Sequence, residues 1–106
     1  VFDLHLTTLA QKDLDGLKKI RAVVVQEVLA LKGDPKKGHS LKQNLQGIRA
    51  LDFTVKGSGQ FRAAYIILEV DKVCLVVAIG PHENFYDLVA RRAKQLKGLL
   101  KKIKEA

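Results

Sequence analysis

A single cysteine, Cys74, leaves the chain without an internal disulfide, which suits a reducing compartment. No apolar stretch approaches the roughly 20 residues that a membrane-spanning helix needs. Residues 1–8 read as a strand, not as the basic start and long apolar core of a secretory leader, so a cytoplasmic location is expected. Tryptophan and methionine are absent, and no internal repeat or low-complexity segment occurs. Acidic residues are the minority charge, 11 Asp plus Glu against 19 Lys plus Arg, for a net charge of +8. What remains is an ordinary globular composition, 47% hydrophobic over 106 residues, too apolar for disorder and long enough for one domain over residues 1–106. The basic excess points to a polyanion or an acidic protein partner.

That excess is unevenly placed. Lys36, Lys37, Lys42, Arg49, Lys56 and Arg62 face only Asp52 within residues 36–62, a net +5. Seven cations from Arg91 to Lys104 face only Glu105, a net +6. Residues 1–35 balance, and residues 63–90 are slightly acidic at −3.

Period-two alternation of Phe2, Leu4 and Leu6 marks a half-buried strand. Thr7 or Thr8 then caps a helical region. A pause near Gly16–Lys19 divides that region into two helices before the breaker Gly33-Asp34-Pro35. Lys36–Asn44 reads as polar loop. Ile48, Ala50, Phe53 and Val55 indicate a strand interrupted or bulged near Leu51-Asp52, followed by a turn at Gly57-Ser58-Gly59. Phe61–Val70 and Val73–Ile79 are two further strands joined at Asp71-Lys72. The continuous apolar run Cys74–Ile79 fits a central strand covered on both faces, stopped by Gly80-Pro81. A helix from about Asn84 to Lys104 carries an apolar stripe and a lysine stripe. The order is β-α-α-β-β-β-α, an α+β fold in which an antiparallel meander packs against helices on one face and the first strand pairs at an edge.

Several motifs fall short. Gly33-Asp-Pro-Lys-Lys-Gly38-His39-Ser40 nearly spells a phosphate-binding loop, but His39 replaces the lysine and the loop follows a helix. His82-Glu83 begins a zinc motif with Tyr86 where the second ligand belongs. No metal or other cofactor is expected. Cys74, inside the apolar strand, reads as a small buried hydrophobe.

Arg62, His82 and Tyr86 converge more usefully. Pairing about the Asp71-Lys72 turn sets Arg62 roughly opposite Pro81, beside His82, and Tyr86 follows four residues later on the same side of a helix start. An imidazole to move protons and a guanidinium to steady a phosphate are what RNA cleavage requires. Polar residues at the end of a sheet is the plainer description, as a solvated face is for the lysine stripe.

The strand Phe61-Arg-Ala-Ala-Tyr-Ile-Ile, the ending Val77-Ala-Ile-Gly-Pro-His-Glu-Asn-Phe-Tyr86, the stretch Leu41-Lys-Gln-Asn-Leu-Gln-Gly-Ile-Arg49 and the element order together resemble the RelE/ParE superfamily of bacterial toxins from toxin–antitoxin pairs. The resemblance runs from the first strand to about Lys94. It implies a microbial ribonuclease-like fold and a ribosome-dependent, metal-independent mRNA endoribonuclease that blocks translation. By that resemblance Arg62 contacts the scissile phosphate, His82 is a catalytic histidine, and Tyr86 stacks on or orients the substrate. His39 matches an acid/base position in the loop before the meander, and Lys42, Arg49 and Lys56 add charge for RNA. RelE-type members carry two lysines on the first meander strand. Here Phe53 and Val55 stand there with only Lys56 nearby, so His82 becomes the preferred base. The implied partners are the ribosome, mRNA and a cognate antitoxin with an acidic or amphipathic segment. A ParE-like gyrase-inhibiting toxin without nuclease activity and a degenerate RNA-binding domain are the rival readings.

Overall fold

The alternation at the start of the chain folds as β1 (Asp3–Leu6), with Leu4 and Leu6 turned inward and Asp3 and His5 exposed. The computed structural model describes residues 1–42 and 45–94. Thr7 caps α1 (Thr8–Gly16), its hydroxyl accepting the Ala10 N–H at 3.1 Å, as a threonine before an apolar-periodic segment should. The expected pause is real. Lys18 sits at φ 40°, a 3-10 turn covers Lys18–Ile20, and α2 (Arg21–Leu29) follows. A second 3-10 turn, Ala30–Lys32, leads into the loop before β2 (His39–Ser40). Then come β3 (Arg49–Val55), β4 (Gly59–Leu68), β5 (Val73–Pro81) and α3, helical over the described residues 85–94. The part of the expected final helix beyond Lys94, with most of its lysine stripe, lies outside the described residues.

The five strands form one sheet in the order β1-β5-β4-β3-β2. Strands β2 to β5 pair antiparallel, and β1 adds to the edge parallel to β5. Helices cover both faces, not the single face expected from sequence. Ala10, Leu14, Val24, Val28 and Leu31 meet Phe53, Phe61, Tyr65 and Val76 in one core. Phe85, Val89 and Ala93 of α3 meet Ala50, Ala64, Val77 and Ala78 in a second. A sheet buried on two sides explains the unbroken apolar run in β5, which sits between β1 and β4.

Register departs from expectation in three places. β3 runs without interruption, its Leu51, Phe53 and Val55 alternating inward against exposed Asp52 and Thr54. The irregularity falls instead between β4 and β5, where Ala64 pairs Ala78 but Tyr65 pairs Val76, leaving Val77 unopposed. That extra residue shifts the alternation, so Cys74, Val76 and Ile79 share one core while Val77 and Ala78 share the other. It also sets Arg62 opposite Gly80, not Pro81, and the strand continues through Pro81. Finally, part of the expected loop at Lys36–Asn44 is strand, because His39 and Ser40 pair with Ala50 and Arg49.

β1 covers only Val73–Val76 of β5. Past it, Asp13 of α1 and Arg92 of α3 meet around the uncovered edge. The Asp13 carboxylate accepts the Ile79 N–H at 3.0 Å and pairs with both terminal nitrogens of Arg92 at 2.9 Å. Arg92 also donates to the Val77 carbonyl at 2.9 Å. The pair satisfies edge groups of β5 and ties α3 to α1.

Candidate active site

The loop before β2 is shaped by two side chains from the sheet. Tyr65, fully buried, donates its hydroxyl hydrogen to the Pro35 carbonyl at 2.6 Å and accepts the Gly38 N–H at 3.1 Å. Arg49 donates to that same hydroxyl at 3.2 Å, to Ser40 Oγ at 2.8 Å and to the Lys36 and Gly38 carbonyls. Gly38 lies so near the Ala50 carbonyl that a Cβ would overlap it. A phosphate-cradling loop would keep its N–H groups for a ligand. Here loop polar groups are satisfied internally, and the loop delivers His39 to the edge of the sheet.

His39, Asp52 and Arg62 come from three successive strands on the face that α3 covers. Arg62 is directly opposite Asp52 across β3 and β4. Its Nε lies 2.5 Å from Asp52 Oδ1, a charge contact without hydrogen-bond alignment, and Arg62 Nε and Nη1 are buried with no hydrogen-bond partner among the described residues. The second Asp52 oxygen lies 3.7 Å from His39 Nδ1. Over the guanidinium lies the Tyr86 ring, 4.9 Å from Arg62 Cζ, in a cation–π arrangement. Tyr86 arrives there because Asn84, at φ 57°, turns the chain out of β5 and into α3, a conformation asparagine tolerates. The His82 N–H donates to the Gln60 carbonyl at 2.9 Å, which holds its exposed imidazole at the mouth of a 190 Å³ cleft shared with Asp52, Thr54 and Arg62.

Arg62, His82 and Tyr86 are thus brought together, as expected. His39 joins them through Asp52. A wider cleft of about 500 Å³ is lined by Tyr86 together with His39, Ser40, Lys42, Leu45 and Asp87. Lys42 therefore faces the same region, whereas Lys56 is exposed on the β3–β4 turn and lines neither cleft. The guanidinium of Arg49 is committed to the loop. Asp52 was not singled out from sequence. Its signal was there: pairing about Gly57 sets it opposite Arg62, and it is the one acid in a basic segment. Among the described residues no group of three or more His, Cys, Asp or Glu is arranged to hold a metal, and no helix is long and apolar enough to cross a membrane.

Such a site offers an incompletely partnered guanidinium, an aromatic platform and two accessible imidazoles. It can bind an oxyanion and move protons beside it. Residues 4–90 match the family model of the ParE-like toxin of type II bacterial toxin–antitoxin systems. The chain belongs to that family. No curated protein sequence matches it. Among solved structures, this ParE-like toxin is similar to a double arginine-to-alanine mutant of the E. coli toxin RelE in the free state, with TM-score 0.68, 15% identity and coverage of 89% of this chain and 96% of that one. It is also similar to a chain of the Mycobacterium tuberculosis RelBE2 toxin–antitoxin complex, with TM-score 0.65, 24% identity and coverage of 76% and 98%. The intact E. coli RelBE complex gives TM-score 0.61 at 17% identity, covering 78% and 99%. At these identities the likeness is one of fold.

Proposed function

We propose that this toxin is a ribosome-dependent endoribonuclease that cleaves mRNA by attack of a 2′-hydroxyl on the adjacent phosphate and so blocks translation. The observation that carries the reading is Arg62: a guanidinium whose Nε pairs with Asp52 and whose buried Nη1 has no hydrogen-bond partner among the described residues, under the Tyr86 ring and lining the His82 cleft. In this reaction Arg62 stabilises the charge that builds on the phosphate. His82 takes the 2′-hydroxyl proton, Tyr86 aligns the nucleotide, and Lys42 and Lys56 add attraction for RNA. The cognate antitoxin is the second partner, since the chain's structural neighbours include toxin–antitoxin complexes. An acidic segment complements the +8 charge.

One observation favours a different activity. The matching family model is of the ParE-like branch, which leaves a gyrase-inhibiting toxin without nuclease activity as the second reading. Primer extension on mRNA from an in vitro translation reaction, run beside a supercoiling assay, separates them. The ribonuclease reading expects new 3′ ends only while ribosomes translate, with supercoiling unaffected. Uncut mRNA and inhibited supercoiling would establish the other.

A further inference from the structure

Cleavage by 2′-hydroxyl attack needs two proton transfers, and His82 accounts for one. The attacking and departing oxygens lie in line on opposite sides of the phosphorus, so the two proton-transfer groups have to approach from opposite sides. The strand order supplies such a pair. Arg62 is on β4; His82 follows β5 on one side of it, and His39 is on β2 on the other, beyond β3. With strands ~4.8 Å apart, the two histidines stand on opposite sides of Arg62, and their side chains have to reach toward one phosphate between them.

Between His39 and Arg62 stands Asp52. One carboxylate oxygen meets Arg62 and the other faces His39 Nδ1 at 3.7 Å. With Nδ1 turned to the carboxylate, Nε2 is the ring atom left to hand over a proton, the division of labour that a carboxylate imposes on an imidazole. His39 is half-exposed and lines the 500 Å³ cleft with Tyr86, so it sits beside Asp52 yet open to a ligand. Asp52 stands directly opposite Arg62 across β3 and β4 and pairs with it, which leaves its second oxygen free to face His39.

We propose that Asp52 is a positioning residue that sets His39 as the general acid, an assignment resting on the ribonuclease reading above. The 2′-oxygen forms a bond to phosphorus and its proton passes to His82. The bond from phosphorus to the 5′-oxygen breaks, and His39 Nε2 gives its proton to that oxygen. The products are a 2′,3′-cyclic phosphate and a 5′-hydroxyl, with one proton taken and one given.

The test is cleavage of ribosome-bound mRNA carrying either an ordinary linkage or a bridging 5′-sulfur at the cut site. A departing thiolate needs no acid. His39→Ala is expected to lose about 100-fold or more on the ordinary linkage and to return within a few-fold of wild type on the sulfur linkage. Asp52→Asn is expected to lose about 10-fold and to be rescued in the same way, whereas His82→Ala stays slow on both. Wild-type rates for His39→Ala and Asp52→Asn on the ordinary linkage would overturn the assignment, as would equal losses on both linkages. If the wild-type protein cuts neither substrate, the ribonuclease reading itself fails, which is a distinct result.

Discussion

Tyr65 and Cys74 show how differently two fully buried polar side chains act. The Tyr65 hydroxyl ties Pro35, Gly38 and Arg49 into the loop that presents His39. Tyr65→Phe leaves those groups short of a partner and is expected to destabilise by about 1–3 kcal/mol, visible as a lower midpoint in thermal unfolding. Gly38→Ala is expected to destabilise comparably, by about 1–3 kcal/mol, because its Cβ would overlap the Ala50 carbonyl. Cys74 instead is inert. Burial, with a smaller push from Glu69, raises its thiol above the ordinary value of 9.0. The folded state then holds the proton more firmly than the unfolded one. The thiol's contribution to stability is full below the ordinary value and is lost as pH rises through the raised one. Denaturant titrations across alkaline pH should show that decline, and Cys74→Ala should flatten it. A thiol reagent at pH 8 should label Cys74 only after unfolding. From sequence the apolar run around Cys74 already read as interior. Tyr65 did not stand out, because two of its partners are backbone atoms of a loop 27 and 30 residues earlier and the third is the Arg49 side chain, and no local pattern encodes them.

At the scale of elements, α3 is the part that both closes a core and carries a residue of the candidate site. Its Phe85 and Val89 are buried against the sheet, while Tyr86 one residue on covers Arg62. Arg92 anchors it two turns later through Asp13. Asp13→Ala leaves Arg92 and the Ile79 N–H without that carboxylate. It is expected to destabilise by about 1.5–3 kcal/mol, with faster amide exchange in α3 and at Ile79 as the check. The periodicity of α3 was legible because burial against a flat sheet imposes a 3.6-residue repeat. Which face of the sheet it covers was not. An unbroken apolar run in β5 reports burial on both sides but not which helix lies on which. The bulge at Val77 was equally hidden, since an extra apolar residue in an apolar run leaves no signature.

For the whole molecule, charge and topology meet at one end of the sheet. Lys42 and the half-exposed His39 line the wider cleft, and Arg62 lies at the next. Arg49, counted in the same basic segment, holds the loop instead, so net charge alone overstated the cations left free for a ligand. Association with ribosomes is expected to weaken steeply with salt, log affinity falling linearly with log salt concentration. A salt-independent affinity would remove the electrostatic part of the account. The convergence of Arg62, His82 and Tyr86 was readable because a short hairpin and a four-residue spacing are local geometry. Asp52 and His39 needed the registers of β2 and β3. The central claim is that Arg62 carries phosphate chemistry on mRNA. Its most direct test is primer extension across a translated message with the wild-type toxin and with Arg62→Ala. The account predicts cleavage by the wild type and a loss of about 100-fold to 1,000-fold in the variant, with the variant still folded by circular dichroism. An uncut message with the wild type, or undiminished cleavage by a folded Arg62→Ala, would contradict it.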